Sequence, residues 1–245
     1  MIISQAFKEL AFSILDKSKF RGFHLLRDLR FYSAQFNLSI ETIFDVGANI
    51  GQTSTELRKY FPNASIHAFE PINSTFEILS KNICHDRNVI LNNVALGAEE
   101  KEITIFLQNE SLINSLLNEV DIEVESKTMD RKQQTQKIQV LNGNRYCNSN
   151  NIESVFLLKT DTEGYDLDVL MGFEEILSNH QISFILVEVT FNEDDLSHSS
   201  FYHVNEYMNK HGYKLSGLYD GIYYGGFQPD LNYCNCLWAL LPNQN

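Results

Sequence analysis

Two glycines lie in the run Asp45-Val46-Gly47-Ala48-Asn49-Ile50-Gly51, which follows a short apolar segment and precedes a segment with helical periodicity. Because glycine has no Cβ, the backbone at Gly47 and Gly51 can turn sharply and come close to a ligand. In open α/β sheets, ligands bind beyond the carboxyl ends of the strands. The run therefore predicts a ligand-binding turn.

The spacing of these glycines, G-x-x-x-G, indicates which ligand the turn accepts. It differs from the G-x-G-x-x-G of dinucleotide folds, where a helix N-terminus receives pyrophosphate, and from the phosphate-binding G-x-x-x-x-G-K-[ST]. A ligand without phosphates is therefore favoured. A nicotinamide-dependent oxidoreductase stays open as an alternative enzyme, with the glycine spacing against it.

Glu70 ends the next apolar segment, 25 residues after Asp45. An acid at that position can accept hydrogen bonds from two ribose hydroxyl groups. An ordinary carboxylate at a strand end, with no ligand, would look the same in the sequence. In combination with the glycine turn, Glu70 favours an adenosyl ligand. The residues predicted to bind the cofactor are Asp45, Gly47, Ala48, Asn49, Gly51, Glu70, Pro71, Asn93 and Ala95.

A second group of charged residues, Lys159, Asp161 and Glu163, follows an apolar strand of the buried type. Unpaired charge is costly to bury, so these side chains need partners. A helix N-terminus capped by Thr162 would account for Glu163 alone. Glu188 ends the next apolar strand and is expected nearby. Converging acids can steer a hydroxyl group and remove its proton. The candidate catalytic residues are Asp161, the first choice for the base, with Glu163, Glu188 and Lys159.

Strands that alternate with helices must bring these two groups to one edge of a sheet. Strands are predicted at residues 42–46, 65–69, 89–96, 155–158, 184–187, 213–215 and 237–241. Helices are predicted at residues 52–60, 73–83, 165–177 and 201–210. This alternation is typical of an α/β fold with a mostly parallel sheet and helices on both faces.

The N-terminal region departs from this alternation. Residues 1–36 have helical periodicity, with a second, weaker helix that includes Leu26 and Leu29. They predict an N-terminal helical arm over residues 1–40, followed by a domain over residues 41–245. Packing on its own domain is preferred for the arm. Contact with a second copy, giving a homo-oligomer, and contact with a membrane surface stay open.

The middle region, residues 97–150, departs from it as well. Apolar residues alternate with polar ones at 103–107 and at 120–125, which is typical of exposed strands. Residues 126–137 are polar and are expected to form a loop. Elaboration that is specific to the substrate is expected in this region.

The composition restricts the partners. With a net charge of −13 and a pI of about 4.9, the chain repels phosphate backbones, so nucleic acid is not an expected partner. No run of 18 apolar residues occurs, and charged residues interrupt the apolar runs near the N-terminus. Neither a transmembrane segment nor a signal peptide is expected. The spacing of the four cysteines suggests no disulfide framework, and a cytoplasmic location is expected.

Two segments contain residue types that bind metals, and neither predicts a metal site. Cys234 and Cys236 lack a second pair of ligands for zinc. The other segment contains Glu193, Asp194, Asp195, His198 and His203. The irregular spacing of these residues is typical of a solvated loop rather than of a metal site.

Four segments resemble a known family: DVGANIG, the Phe69-Glu70-Pro71 triplet, LLKTDTEGYDLDVLMGFEEIL and FILVEVT. Over residues 41–241 the chain resembles the FkbM family of S-adenosylmethionine-dependent methyltransferases, and KTDTEG is similar to that family's K-[IT]-D-x-E-G motif. The resemblance implies a Rossmann-like class I methyltransferase fold, with a seven-stranded sheet whose last strand is antiparallel. It also implies S-adenosyl-L-methionine as the cofactor and O-methylation of a hydroxyl group on a sugar, glycan or natural product.

The resemblance assigns roles residue by residue. The family's cofactor positions fall on Asp45, Gly47, Asn49, Gly51 and Glu70, and its catalytic-strand motif falls on Asp161, Glu163 and Gly164. Family members often carry an acidic L-D where this chain reads Val140-Leu141-Asn142-Gly143-Asn144, so this chain departs from the family pattern there and lacks that acid. Methylation of an amine or protein acceptor stays open. A binding module without catalysis would be expected to lose several of these residues, and all are present.

The acceptor is not identified by the sequence. Aromatic side chains near the C-terminus are candidates for stacking on a sugar face, or for ordinary packing: Tyr219, Tyr223, Tyr224 and Phe227.

Overall fold

The computed structural model describes residues 22, 24–107, 134–192, 194–195, 197–223 and 230–240. Its helices are α1 (Leu25–Phe36), α2 (Gln52–Tyr60), α3 (Asn73–Ile83), α4 (Gly143–Ser149), α5 (Asp166–Gly172), α6 (Glu174–Ser178) and α7 (Phe201–Lys210). Its strands are β1 (Thr42–Val46), β2 (Ser65–Phe69), β3 (Val89–Asn92), β4 (Ala95–Gly97), β5 (Lys101–Leu107), β6 (Gln134–Asn142), β7 (Val155–Thr160), β8 (Ile182–Thr190), β9 (Ser199–Ser200), β10 (Lys214–Tyr223) and β11 (Leu231–Ala239).

The main sheet has the strand order β10-β11-β8-β7-β1-β2-β3. Strands β3, β2, β1, β7 and β8 pair in parallel, whereas β11 is antiparallel to both of its neighbours. The two-residue β9 extends the sheet by pairing with β8. These features confirm the prediction of an α/β, Rossmann-like class I methyltransferase fold, with a seven-stranded, mostly parallel sheet and an antiparallel last strand.

Successive residues of a strand face opposite sides of this sheet, and each side is covered by helices. In β1, Ile43 packs into the core that contains α1 and α2, whereas Phe44 packs into the core that contains α5 and α7. All six residues of the central strand β7 are buried, as expected for a parallel strand covered on both faces.

Strand β8 is longer than the sequence predicts. It continues to Thr190, which pairs with Tyr233 on β11. Glu188 therefore lies within the strand and does not follow its end. The predicted helix 165–177 is two helices, α5 and α6, separated at Phe173. Gly172, the last residue of α5, lies against Gly97, where a Cβ would come within 2.2 Å of the carbonyl oxygen. The chain then turns at the fully buried Phe173 before α6 begins.

A second, three-stranded sheet has the order β4-β6-β5. The single strand predicted for residues 89–96 is wrong, because β3 ends in the main sheet and β4 joins the second sheet. The predicted loop 126–137 is also wrong in its last part. Residues 134–137 lie in β6, where Thr135 and Lys137 are exposed while Ile138 and Val140 are buried. Residues 120–125 lie outside the described part of the chain.

Helix α1 confirms the weaker helix predicted near the N-terminus, and it packs on the main sheet. Leu26, Leu29 and Tyr32 are buried in the core. The hydroxyl group of Tyr219 on β10 donates a hydrogen bond of 2.8 Å to Asp28 Oδ2. The first helical segment of the arm lies outside the described residues, and the boundary at residue 40 and the homo-oligomer stay predictions. No helix in the described ranges is long and apolar enough to span a membrane.

Candidate active site

A cleft with a volume of about 760 Å³, counting its open mouth, lies at the carboxyl ends of β1, β2 and β7. This is the edge at which open α/β sheets bind ligands. The lining residues are Val46, Gly47, Asn49, Phe69, Glu70, Pro71, Ile72, Thr75, Val94, Ala95, Leu96, Asp161, Thr162 and Glu163.

The glycine turn is held by β2 on one side and by the end of β7 on the other. The backbone amides of Gly47 and Ala48 donate hydrogen bonds of 3.0 and 2.9 Å to the carbonyl oxygen of Phe69. Gly47 has a φ of +76°, and a Cβ there would lie 1.9 Å from the carbonyl oxygen of Asp161. No other residue type fits this close approach, so the glycine turn packs directly against the backbone that follows β7.

Glu70 is the buried acid of the cleft, with 6% of its surface exposed. Its Oε2 accepts a hydrogen bond of 3.0 Å from the amide of Asn49, and its Oε1 accepts one of 2.9 Å from the amide of Ile72. Burial raises the pKa of Glu70, although the two amides act in the opposite direction. Each carboxylate oxygen keeps a further acceptor site after these bonds.

Asp45 and Lys159 form a buried ion pair beneath the turn. Lys159 Nζ lies 3.1 Å from Asp45 Oδ1 and 3.5 Å from Asp161 Oδ2, and it donates a hydrogen bond of 3.2 Å to the carbonyl oxygen of Gly47. The hydroxyl group of Ser54 donates to Asp45 Oδ2 over 2.6 Å. Burial alone lowers the pKa of Lys159, but Asp45 and Asp161 raise it above its usual value.

Asp166 organises the segment after β7, and no sequence pattern indicated it. It is 1% exposed, and its Oδ1 accepts hydrogen bonds from the hydroxyl groups of Thr160 and Thr162 and from the amide of Thr162. Helix α5 begins at Asp166, so the alternative of Thr162 as a helix cap is wrong. Glu163 precedes the helix in a left-handed turn with a φ of 54°.

Acidic side chains converge on the β7 side of the cleft. Asp161 and Glu163 both line it. Burial, Asp161 and Glu188 raise the pKa of Glu163 to about 7. Burial and the charges of Glu188, Glu163 and Asp161 raise the pKa of Tyr233 on β11. The structure therefore brings the three predicted acids together and adds Tyr233, which no sequence pattern indicated.

His198 belongs to this cluster, which makes the prediction of a solvated loop wrong for this residue. His198 Nδ1 lies 2.8 Å from Asp195 Oδ2, and Nε2 lies 3.3 Å from Glu188 Oε2. Its ring stacks on Tyr233 with the centroids 4.2 Å apart. Glu193 lies outside the described residues. In the described ranges, no group of three or more His, Cys, Asp and Glu side chains is arranged to hold a metal ion.

Some predicted cofactor residues support the cleft without lining it. Asp45 is fully buried below it. A Cβ at Gly51 would lie 2.7 Å from Ile83 Cδ1, so this glycine allows α3 to pack closely. Asn93 donates hydrogen bonds of 2.9 and 3.2 Å to the carbonyl oxygens of Glu70 and Pro71. The direct roles assigned to these residues stay predictions.

The remaining candidates lie away from the cleft. Asn142, in the segment that departs from the family pattern, caps α4 by accepting a hydrogen bond of 3.1 Å from the amide of Arg145. Tyr219 is buried against α1, whereas Tyr223 is exposed on β10. Tyr224 and Phe227 lie outside the described part of the chain. All four cysteines are free thiols.

A family model for the methyltransferase FkbM domain matches residues 45–215. "Methyltransferase 1" of Beauveria bassiana (strain ARSEF 2860) is 30% identical over 146 residues, which cover 54% of this chain. The chain spans 58% of the length of that curated relative.

Two solved structures are similar in fold. The fibrillarin pre-rRNA processing protein of Methanococcus jannaschii is 13% identical, with a TM-score of 0.45 over 83% of this chain and 67% of that one. M. capricolum TrmK, in complex with S-adenosylhomocysteine, is 13% identical, with a TM-score of 0.41 over 86% and 67%. Because the family model covers residues 45–215 of 245, the chain belongs to the FkbM family of S-adenosylmethionine-dependent methyltransferases, and its cofactor is S-adenosylmethionine.

Proposed function

We propose that the chain transfers the methyl group of S-adenosylmethionine to a hydroxyl group of a sugar, glycan or natural product. The observation that carries the proposal is the convergence of Asp161, Glu163 and Glu188 beside the cleft. A hydroxyl oxygen must lose its proton as it attacks a methyl group, and a positioned carboxylate accepts that proton. The cluster therefore suits a hydroxyl acceptor.

The residues of the cleft fit the cofactor. Glu70 presents a buried carboxylate with unused acceptor sites, which suits the two hydroxyl groups of a ribose. Phe69, Ile72 and Val94 give the same cleft an apolar lining that suits a purine ring. Glu70 and these side chains would hold the adenosine part. The bound cofactor supplies an activated methyl group on its sulfonium.

The chain's own residues supply alignment and proton transfer. Asp161 follows the central strand β7. Its backbone amide donates a hydrogen bond of 3.1 Å to the carbonyl oxygen of Val46, and this bond fixes Asp161 beside the glycine turn. Lys159 holds the Asp161 carboxylate from below at 3.5 Å. Asp161 is the proposed base. With a pKa of about 7, Glu163 is placed to share the proton near neutral pH.

Other acceptor classes are outcomes of the test. An amine or protein acceptor uses the same fold, and family membership favours methyl transfer over a nicotinamide-dependent oxidoreductase. The net charge of −13 supports an acceptor without a phosphate backbone. The pre-rRNA processing named for fibrillarin is a property of that protein.

The test is a methyl-transfer screen with radiolabelled S-adenosylmethionine and four acceptor sets: glycans and nucleotide sugars, hydroxylated natural products, amines and proteins, and RNA. Calorimetry with S-adenosylhomocysteine establishes cofactor binding before the screen. We expect label on a hydroxylated acceptor, with little transfer in the matched variant Asp161→Asn. Label on amines, proteins or RNA alone would refute the hydroxyl acceptor, and failure to bind S-adenosylhomocysteine would refute the enzyme assignment.

A further inference from the structure

His198 lies between two carboxylates, each facing a different ring nitrogen. Nδ1 is 2.8 Å from Asp195 Oδ2, and Nε2 is 3.3 Å from Glu188 Oε2. The side chains are 13% exposed for His198, 10% for Asp195 and 19% for Glu188. Nδ1 forms a hydrogen bond with Asp195, and Nε2 lies within ion-pair distance of Glu188. Two carboxylates this close to the ring favour its cationic imidazolium form, in which both nitrogens carry protons.

Hydrogen bonds hold the residues on both sides of His198 in place. Ser199 pairs with Val189 as part of β9, and its hydroxyl group donates a hydrogen bond of 2.9 Å to Asp166 Oδ2. The amide of Ser197 donates a hydrogen bond of 2.8 Å to Asp195 Oδ1. The imidazole ring is therefore placed by the fold rather than by the carboxylates alone.

The ring also has a fixed orientation. It stacks on Tyr233, with the two planes inclined by 19° and the centroids 4.2 Å apart. The titratable groups around it are Asp195 on the same segment, Glu188 on β8, Tyr233 on β11, Glu163 and Asp161 after β7, and Asp166 behind Ser199. Among the described side chains, His198 pairs with Glu188, whereas Lys159 pairs with Asp45 and Asp161.

We propose that His198 is a positioning residue of the acceptor site, where its imidazolium, anchored by Asp195 and stacked on Tyr233, holds the Glu188 carboxylate beside Glu163. This inference rests on the proposed function for its consequence in catalysis. Without the cation, Glu188 is free to turn away from the cluster, and Asp161, Glu163 and Glu188 lose a charge that offsets their repulsion. In its imidazolium form His198 has no free lone pair on either nitrogen, so the proposal gives it no part in removing the acceptor's proton.

The first test needs no acceptor. Long-range ¹H–¹⁵N spectra of the full chain, labelled at histidine nitrogen, report the protonation of each ring, and His198→Gln assigns the signal. We expect His198 to stay doubly protonated to above pH 8, since Glu188 and Asp195 raise its pKa to about 9 against the effect of burial. In Glu188→Gln its titration midpoint should fall. A midpoint near 6.5 that Glu188→Gln leaves unchanged would overturn the proposal.

The second test separates positioning from stability, with the acceptor identified by the screen. The exposed His203→Gln is the matched control. We expect His198→Gln to bind S-adenosylhomocysteine normally and to lose about 10–100-fold in kcat/KM. Because His198 lowers the pKa of Glu163, its loss should move the acidic limb of the pH–rate profile to higher pH. A purely structural residue would lower Tm and leave that limb in place, and this result would overturn the proposal. A wild-type chain that methylates nothing would refute the proposed function, while the spectra still decide the placement of His198.

Discussion

The backbone amide of Asn49 donates a hydrogen bond of 3.0 Å to Glu70 Oε2 and so joins the glycine turn after β1 to the end of β2. The same carboxylate accepts a bond from the amide of Ile72. Glu70 therefore shapes the cleft, and the proposed contact with a ribose would use the remaining acceptor sites of the same two oxygens. A single substitution at this residue tests both roles.

We expect Glu70→Ala to weaken binding of S-adenosylhomocysteine by roughly 1.5–3 kcal/mol, the range of hydrogen bonds to a charged group. Isothermal calorimetry measures the change, and the exposed Glu77→Ala in α3 is the control. Equal affinities of Glu70→Ala and the wild-type chain would remove Glu70 from the cofactor site.

Gln136 on β6 connects the second sheet to the loop after β2, which carries Glu70. Its Nε2 donates a hydrogen bond of 2.9 Å to the carbonyl oxygen of Pro71, and its Oε1 accepts one of 3.0 Å from the amide of Asn73. Gln136→Ala should weaken S-adenosylhomocysteine binding by about 0.5–1.5 kcal/mol, because the loop that carries Glu70 loses two hydrogen bonds. Gln139 lies on the same strand as Gln136, and Gln139→Ala removes only an exposed contact with Glu102 on β5, so it should have no effect on affinity. Indistinguishable affinities for the two variants would show that the second sheet does not position the cleft.

The raised pKa of Glu163 makes the free energy of unfolding depend on pH. Its pKa is raised from 4.5 to about 7 in the folded chain, so the folded state holds a proton more firmly than the unfolded state between these values. Its contribution to stability is complete below pH 4.5 and is lost as the pH rises through 7.

The variant Glu163→Gln keeps the uncharged form at every pH. Relative to the wild-type chain it should be more stable at pH 8, by roughly 2–4 °C in Tm if the gain is about 1 kcal/mol. This advantage should disappear below pH 4.5. Thermal melts across this range measure it, with the exposed Glu56→Gln as the control. A difference in Tm that is the same at pH 4 and pH 8 would contradict the raised pKa.

Asp161→Asn keeps the shape of the proposed base and removes its basicity. Proton removal by a positioned carboxylate contributes about 100–10,000-fold in rate, so single-turnover kinetics should show a loss of that order with nearly unchanged cofactor binding. If Asp161 only orders the loop or pairs with Lys159, the variant should melt earlier and keep its rate per folded molecule. Retained turnover here, with a collapse in Glu188→Gln, would place the base on β8.

The parts of the fold that follow from local pattern were predictable. The apolar runs of β1, β2 and β7 predict buried parallel strands, and the glycine turn and Glu70 predict the edge at which a ligand binds. The split between β3 and β4 was not predictable, because Asn93 turns the chain by bonding carbonyl oxygens of residues 70 and 71. Such a contact depends on a neighbouring strand and leaves no periodicity in the sequence.

The acidic side of the site was only partly predictable. Asp161 and Glu163 directly follow a buried apolar strand, and this position in the sequence is enough to predict that they lie at the ligand-binding edge of the sheet. His198 and Tyr233 reach the same place through the pairing of β9 and β11 with β8. Tyr233 is brought beside Glu188 only by the long-range pairing of β11 with β8, in which it faces Thr190. The irregular spacing around His198 is also typical of an ordinary surface loop.

The identity of the atom that receives the methyl group tests the central claim most directly. The wild-type chain is incubated with S-adenosylmethionine carrying a ¹³C methyl group and the acceptor found in the screen, and the product is examined by ¹H–¹³C correlation spectroscopy. The account predicts a new methyl signal bonded to oxygen, in amounts that match the S-adenosylhomocysteine released and that fall sharply in Asp161→Asn. A methyl group bonded to nitrogen or carbon, or an equal yield from Asp161→Asn, would contradict it.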